Sequence, residues 1–112
     1  MIVCVPLSSS GVIDPRWGRA DRLAVADAAD GEITSWEEFD VGWSRLHDEG
    51  TEGSHHSRIA RFILDHDVQA VVAGHMGEPM VVMLGKLGVM VRLGASGDAR
   101  NALLAATAEV PR

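Results

Sequence analysis

Histidine is the residue type in this sequence with the most chemistry to offer. The chain has five histidines and a single cysteine, and no histidines stand at the H-x-x-x-H spacing of a zinc signature. Neutral imidazole is a nitrogen ligand for transition metals, and it takes up a proton near neutral pH. Four of these residues fall in predicted loops or at a predicted helix start: His47, His55, His56 and His75. Whether they act together depends on whether the fold brings them to one place.

Each histidine also has a structural interpretation. His55 and His56 open a predicted helix, where a neutral ring can cap the helix or pack against it. His75 lies between glycines in the turn Gly74–Gly77, where a side chain is seldom kept for packing, so a functional role is favoured. His47 lies in a long polar loop, where a solvated ring is the simpler interpretation.

Three other residue types lie in positions that need interpretation. Trp17 and Trp43 stand in predicted loops, and their rings either plug an edge of the core or cover a ligand. Met80 and Met83 recur at helical spacing, which indicates core packing. Cys4 lies in an apolar run and is predicted to be a small buried hydrophobe without a disulfide partner.

Composition and charge narrow the class of protein. Of 112 residues, 46% are hydrophobic and 23% are charged, with a formal net charge of -6. These values predict one globular domain over residues 1–112. An acidic chain without a basic stripe argues against nucleic acid, whose phosphates require positive charge. The N-terminal apolar run is too short for a signal or membrane segment, so we expect a cytoplasmic protein with no membrane partner.

Strand patterns dominate the first half of the chain. Ile2–Leu7 is continuously apolar, as is typical of a central strand covered on both faces. Arg22–Ala28 and Glu32–Phe39 flank Asp30–Gly31, a two-residue hairpin signal that predicts an antiparallel pair. The next segment, Asp40–Gly53, is polar, Gly-rich and long, so we expect a functional or disordered loop there.

Strands alternate with helices in the second half. The predicted strands are Gln69–Ala73 and Val89–Leu93, and the predicted helices run from the N-cap Ser54 to about Asp67, from Pro79 to Gly88, and over Asp98–Ala108. This alternation requires parallel strands joined by right-handed crossovers. The order βββαβαβα therefore predicts a three-layer α/β fold of the ribonuclease H-like type. Its five-stranded mixed sheet has the order 3-2-1-4-5, with strand 2 antiparallel.

This topology predicts where the polar residues meet. The loops after strands 1, 4 and 5 and the start of the first helix lie at the carboxyl end of the parallel strands, where ligands bind in open α/β sheets. That edge collects Ser8–Trp17, the four histidines, Met76 and Arg100, whereas His66 lies at the far end of its helix. Three helix N-termini, whose N–H groups favour an anion, lie there too. We therefore expect an anionic ligand that accepts nitrogen or soft sulfur donors.

Five short motifs occur along the chain in the order found in one known family. They are Arg16–Ala20, His56 at the opening of the first helix, Val71–Gly77, Leu87–Val89 and Gly94–Gly97. In these motifs the chain resembles the dinitrogenase iron–molybdenum cofactor biosynthesis family, the cofactor-binding and carrier proteins of nitrogenase maturation. The resemblance covers nearly the whole chain, and it implies the same ribonuclease H-like fold.

The resemblance also implies a function. Proteins of this family hold an iron–sulfur or molybdenum-containing sulfido cluster without a cysteine cage, as carriers in metallocluster assembly for nitrogen fixation. The implied ligand is an iron–molybdenum cofactor or a related cluster, and the implied partners are cofactor-assembly or acceptor proteins. On this interpretation the metal donors are His56 and His75, and the cofactor-binding residues are Arg16, Trp17, Gly18, His55, Gly74 and Gly77.

One position departs from the family pattern. Arg16 stands where the family usually has the histidine of a His-Phe-Gly-Arg-Ala stretch. A guanidinium cannot ligate a metal, although it can pair with an anion. The alternative hypothesis is therefore a small anion-binding or protein-interaction domain that has lost cluster binding.

We do not expect an enzyme. Two-metal phosphoryl chemistry on this scaffold needs clustered carboxylates, one of them normally on the first strand, and Ile2–Leu7 has none. The sequence also has no Ser/His/Asp set in a recognisable local context.

Overall fold

A five-stranded mixed sheet organises the computed structural model, which describes residues 1–108. Its strands are β1 (Ile2–Leu7), β2 (Arg22–Ala29), β3 (Glu32–Asp40), β4 (Ala70–Val72) and β5 (Met90–Arg92), in the spatial order β3-β2-β1-β4-β5. Strand β2 runs antiparallel to both of its neighbours, whereas β1, β4 and β5 are parallel. The predicted strand order and strand directions are confirmed.

Strand β1 lies in the middle of the sheet and is covered on both faces. Val3, Cys4 and Val5 are completely buried. Burial raises the pKa of the Cys4 thiol far above its usual range, because the thiolate would lose its hydration. Cys4 is therefore an inert packing residue, as its apolar run predicts.

The β2–β3 hairpin turns at the predicted dipeptide. Asp30 and Gly31 have φ angles of 55° and 79°, the left-handed region that a two-residue hairpin of this type requires at both central positions. The turn brings β3 back beside β2 and makes it an edge strand.

Helices cover the two faces of the sheet and make three layers. They are α1 (Trp43–Leu46), α2 (Glu52–Asp65), α3 (Glu78–Lys86) and α4 (Ala99–Ala108). On one face Cys4 packs in a cluster with Ile59 of α2 and Leu84 of α3. On the other face Val5 packs in a cluster with Leu103 of α4. None of the helices within residues 1–108 combines the length and the apolarity needed to cross a membrane.

The prediction of a loop throughout Asp40–Gly53 is wrong. Strand β3 extends to Asp40, and helix α1 occupies four residues of the segment. Trp43 is 2% exposed and its backbone N–H donates to the Ala20 carbonyl, so the segment is anchored to the core. The polar composition of the segment gives no indication of this anchor, because the anchor is a single buried side chain, that of Trp43.

The predicted start of the first long helix is also wrong. Thr51, not Ser54, is the N-cap: its hydroxyl accepts from the Ser54 backbone N–H at 3.0 Å. The Ser54 hydroxyl in turn accepts from the Thr51 backbone N–H at 3.1 Å, which completes a capping box. Helix α2 therefore begins at Glu52, and His55 and His56 lie one turn inside it.

Candidate functional site

A cleft of about 670 Å³ opens at the carboxyl end of β1 and β4. Three separate segments line it: the loop after β1, which includes a 3-10 turn at Trp17–Arg19, the region from α1 to the start of α2, and the loop from β4 into α3. The four histidines predicted at this edge all line the cleft: His47, His55, His56 and His75. His66 is separate, with its ring 4.3 Å from the ring of Phe62 and 4.5 Å from that of Phe39.

Most of the predicted site residues come together in this cleft. Those that line it are Arg16, Trp17, Gly18, His55, His56, His75 and Gly77. Gly74 has a packing role instead, because a Cβ there would lie 3.2 Å from the Ala95 carbonyl oxygen and 3.5 Å from the Pro15 Cα. A side chain at Gly74 would therefore crowd these two backbone segments.

Two predicted edge features lie elsewhere. The Arg100 guanidinium lies 4.2 Å over the ring of Trp36, so it packs against β3 rather than in the cleft. The first part of the loop after β1 pairs with the approach to α4, through a bridge between Val12 and Asp98. Of Ser8–Trp17, only the part from Pro15 onward lines the cleft, and Arg100 is not among the lining residues.

Hydrogen bonds to Asp14 fix the backbone and the inner part of the Arg16 side chain at the cleft. The carboxylate of Asp14, which is 6% exposed, accepts from the Arg16 backbone N–H at 2.9 Å and from its Nε at 3.4 Å. A parallel β-bridge joins Arg16 to His75, which ties the loop after β1 to the loop after β4. Arg16, a charged residue, and His75, a potential metal donor, are therefore neighbours at the rim of the cleft.

His55 fastens two of the cleft walls together. Its Nε2–H donates to the Gly18 carbonyl at 2.8 Å, and its Nδ1 accepts from the Arg58 guanidinium at 2.7 Å. Burial lowers the pKa of His55, and the nearby charges of Arg58, His47 and His56 lower it further. The neutral ring uses both nitrogens within the protein, so the structure gives His55 a packing role rather than a ligand role.

His56 and His75 have freer rings. The Nε2 atom of His56 lies 3.9 Å from the Glu52 carboxylate, and its side chain is 25% exposed. His75 is exposed in its glycine-bracketed loop. Within residues 1–108 neither ring has a hydrogen bond, and no group of three or more His, Cys, Asp or Glu side chains is arranged to hold a metal ion. His47 differs from both, because its Nδ1 lies 3.4 Å from the Asp48 carboxylate and, in the described part of the chain, only its Nε2 is unbonded.

The two tryptophans plug the core edge beneath the cleft. Trp17 and Trp43 are each 2% exposed and meet edge to face, with ring centroids 5.4 Å apart. Trp17 also lines the cleft, and its buried indole N–H has no acceptor within residues 1–108. Such a donor costs about 1–3 kcal/mol when it is left unpaired. Packing therefore describes Trp43, whereas Trp17 both packs against Trp43 and borders the cleft.

Arg19 is a cleft residue that the sequence interpretation did not single out. It lies in the Arg16–Ala20 motif, and its two terminal nitrogens hold the Asp48 carboxylate at 3.2 and 3.4 Å. This pair lowers the pKa of Asp48 and ties the end of α1 to the 3-10 turn. The sequence feature that points to it is the second arginine of the Arg16–Ala20 motif, which served only to indicate the family resemblance.

The lining of the cleft holds more basic than acidic side chains. Arg16 and Arg19 line it together with the four imidazoles, and Glu52 is the one acidic residue among the described residues that line it. The whole chain carries a formal net charge of -6. Asp48 pairs with both terminal nitrogens of Arg19, so among the described lining residues Arg16 is the cation left open to a ligand where the parallel strands end, at the usual ligand edge of such sheets.

The sequence profile of the family described as "Dinitrogenase iron-molybdenum cofactor" matches residues 1–109. This chain belongs to the dinitrogenase iron-molybdenum cofactor family. No curated protein matches it.

Solved structures share the fold of this family member. The apo form of the orange protein from Desulfovibrio gigas is 22% identical, over 98% of this chain and 90% of that chain, with a TM-score of 0.74. A NifB-like protein from Thermotoga is 19% identical, over 96% of this chain and 88% of that chain, with a TM-score of 0.68. At these identities the similarity establishes the architecture alone.

Proposed function

We propose that this member of the dinitrogenase iron-molybdenum cofactor family is a non-catalytic carrier in the cytoplasm. It binds an anionic metal–sulfur cluster, an iron–molybdenum cofactor or a related iron–sulfur or molybdenum cluster, and passes it to assembly or acceptor proteins. The observation that carries the proposal is the cleft itself, which gathers four imidazoles and the guanidinium of Arg16 at the ligand edge of the sheet.

The residues of the cleft suit a cargo that brings its own sulfides. Arg16 supplies positive charge, and the rings of His56 and His75 are the nitrogen donors. The first turns of α2 and α3 reach the cleft through Glu52 and Pro79, so their partial positive ends add to the attraction. A cluster with its own sulfide ligands needs few protein donors, which fits two imidazoles.

A carrier role is supported over catalysis by the composition of the cleft. Among the described residues that line it, Glu52 is the single carboxylate, whereas two-metal chemistry works with clustered carboxylates. The lowered pKa of His55 makes its ring a weaker base, and both of its nitrogens are hydrogen-bonded, to Gly18 and to Arg58. The family is named after a cofactor, and the similar orange protein has a structure in an apo form. Both agree with a ligand that can be removed.

The test is anaerobic reconstitution with iron, sulfide and molybdate. We expect the wild-type protein to gain charge-transfer absorption and to retain iron, molybdenum and sulfide after desalting. The double variant His56→Ala/His75→Ala should lose both signals, whereas His66→Gln, which removes a histidine outside the cleft, should keep them. Uptake by the double variant equal to that of the wild type would show that these imidazoles do not hold the cargo.

Arg16 favours a second candidate function. A fixed cation at the position where the family resemblance has a histidine suits a small anion as well as a cluster. On this alternative the protein binds a small anion or a partner protein and has lost the cluster. Protein purified under reducing conditions would then contain bound phosphate or sulfate and no metal.

A further inference from the structure

Arg16 is held differently from the other arginine of the cleft. Asp14 engages its backbone N–H and its Nε, at 2.9 and 3.4 Å. Its two terminal guanidinium nitrogens have no acceptor within residues 1–108. Arg19, by contrast, spends both terminal nitrogens on Asp48. Arg16 is thus anchored at its base and open at its tip.

The open tip has a definite recognition chemistry. The two terminal nitrogens of a guanidinium present parallel N–H donors that match a pair of oxygen or sulfur atoms on one centre. The Arg16 side chain is 59% exposed, so an anion in the cleft can reach it. Asp14 has a side-chain exposure of 8% and is itself bound to strand β1 through its backbone N–H, which donates to the Pro6 carbonyl.

We propose that Arg16 is the specificity-determining residue of the cleft and that Asp14 is its positioning residue. Arg16 binds two acceptor atoms of a doubly charged anion through its terminal nitrogens, and Asp14 holds the guanidinium in place. This inference rests on the proposed function and names the chemistry that the cleft selects. The selected group is a pair of oxo or sulfido atoms on one anionic centre, whether in a free tetrahedral anion or on the face of a larger cluster.

Calorimetric titration with molybdate and with sulfate tests the role of Arg16. Arg16→Ala should bind both anions at least roughly tenfold more weakly than the wild type, because it loses a charge-assisted pair of hydrogen bonds. Arg61→Ala is the matched control, since Arg61 is exposed on α2 outside the cleft and its removal costs the same charge. It should bind as the wild type does.

A second variant gives a pH signature that loss of structure would not produce. Arg16→His should bind weakly at about pH 8.5 and approach the wild-type affinity at about pH 5.5, because only the protonated ring carries a charge. The ratio of its Kd to that of the wild type should therefore fall as the pH falls. A ratio that stays constant across this range would contradict a role for the charge of Arg16.

Asp14→Asn tests the positioning role by the sign of its effect. The amide oxygen can still accept from the Arg16 backbone N–H, but the negative charge is gone. If Asp14 merely neutralised Arg16, its removal would strengthen anion binding. A positioning residue predicts weaker binding in wild-type protein and no further loss in the Arg16→Ala background. Stronger binding would overturn this part of the proposal.

Iron–sulfide–molybdate uptake by the same variants separates the two proposals. If Arg16→Ala binds molybdate and sulfate as tightly as the wild type, or if the wild type binds neither, the inference about Arg16 is wrong, whatever the cluster uptake. If the wild type binds the anions through Arg16 but takes up no iron or sulfide, the carrier function fails and the inference stands. If Arg16→Ala loses both anion binding and cluster uptake, the recognised atoms belong to the cluster as well.

Discussion

His55 and His56 are adjacent in the sequence and have opposite roles. Successive residues of an α-helix point about 100° apart, so only one of the two rings can face the core. His55 is 2% exposed and hydrogen-bonded at both nitrogens, whereas the side chain of His56 is 25% exposed. At the scale of the residue, His55 acts on the cleft by holding the turn at Gly18, and His56 can contact a ligand directly.

Acidification should destabilise the protein through His55. Its pKa is lowered in the folded state, chiefly by burial, so the unfolded chain binds the proton more tightly. The stabilisation is fully present above the unfolded pKa of about 6.5 and is lost as the pH falls from there through the lower folded value. Free energies of unfolding from urea titrations should decline over this range.

The control for this prediction is His55→Gln, in which the decline should flatten. An unchanged decline in His55→Gln would assign it to other groups. Two exposed carboxyls do not obscure the measurement. The pKa of Asp21 is lowered by its bond from the Ser44 hydroxyl and that of Asp48 by its bond from Arg19, which moves both carboxyls further from the range in which His55 titrates.

At the scale of the element, local patterns were sufficient for the strands but not for the helix starts around the cleft. Continuous apolarity identified Ile2–Leu7, and Asp30–Gly31 has the backbone that its hairpin signal predicts. Thr51 and Ser54 are both competent N-caps, and only their reciprocal bonds distinguish the cap from the third helical residue. Helix α1 depends on the burial of Trp43, a long-range contact that no local window contains.

Gly74→Ala should destabilise the connection between β4 and α3. The new Cβ would lie 3.2 Å from the Ala95 carbonyl oxygen and 3.5 Å from the Pro15 Cα, and backbone atoms cannot move aside cheaply. We expect a loss of roughly 1–3 kcal/mol in the free energy of unfolding, as for other overpacked sites. Chemical denaturation measures it.

Gly85→Ala is the matched control. Gly85 lies inside α3, where an added Cβ meets nothing within 4 Å. This substitution should stabilise the protein by roughly 0.5–1 kcal/mol, because alanine loses less backbone entropy in a helix. Equal effects of the two substitutions would mean that Gly74 does not have the packing role described above.

At the scale of the whole molecule, the topology rule located the site but could not rank its residues. The carboxyl end of the parallel strands collects four histidines in one cleft, as the strand order predicts. Which rings are free is decided by side-chain bonds such as those of His55 to Gly18 and Arg58. Arg100 is an exception to this topology rule, because its side chain lies over Trp36 of β3 and does not reach the cleft.

The cleft exists only while the whole chain is folded, because its walls come from segments around Arg16, His55 and His75 that are distant in the sequence. A ligand of the cleft therefore binds the folded state and not the unfolded chain, and it stabilises the protein by mass action. At a molybdate concentration of about 100 times the Kd, the gain should be about 2.7 kcal/mol. Thermal unfolding should show a Tm that rises with molybdate concentration and a smaller rise in Arg16→Ala. A rise of the same size in sodium chloride at equal ionic strength would assign the effect to screening of the acidic surface rather than to the cleft.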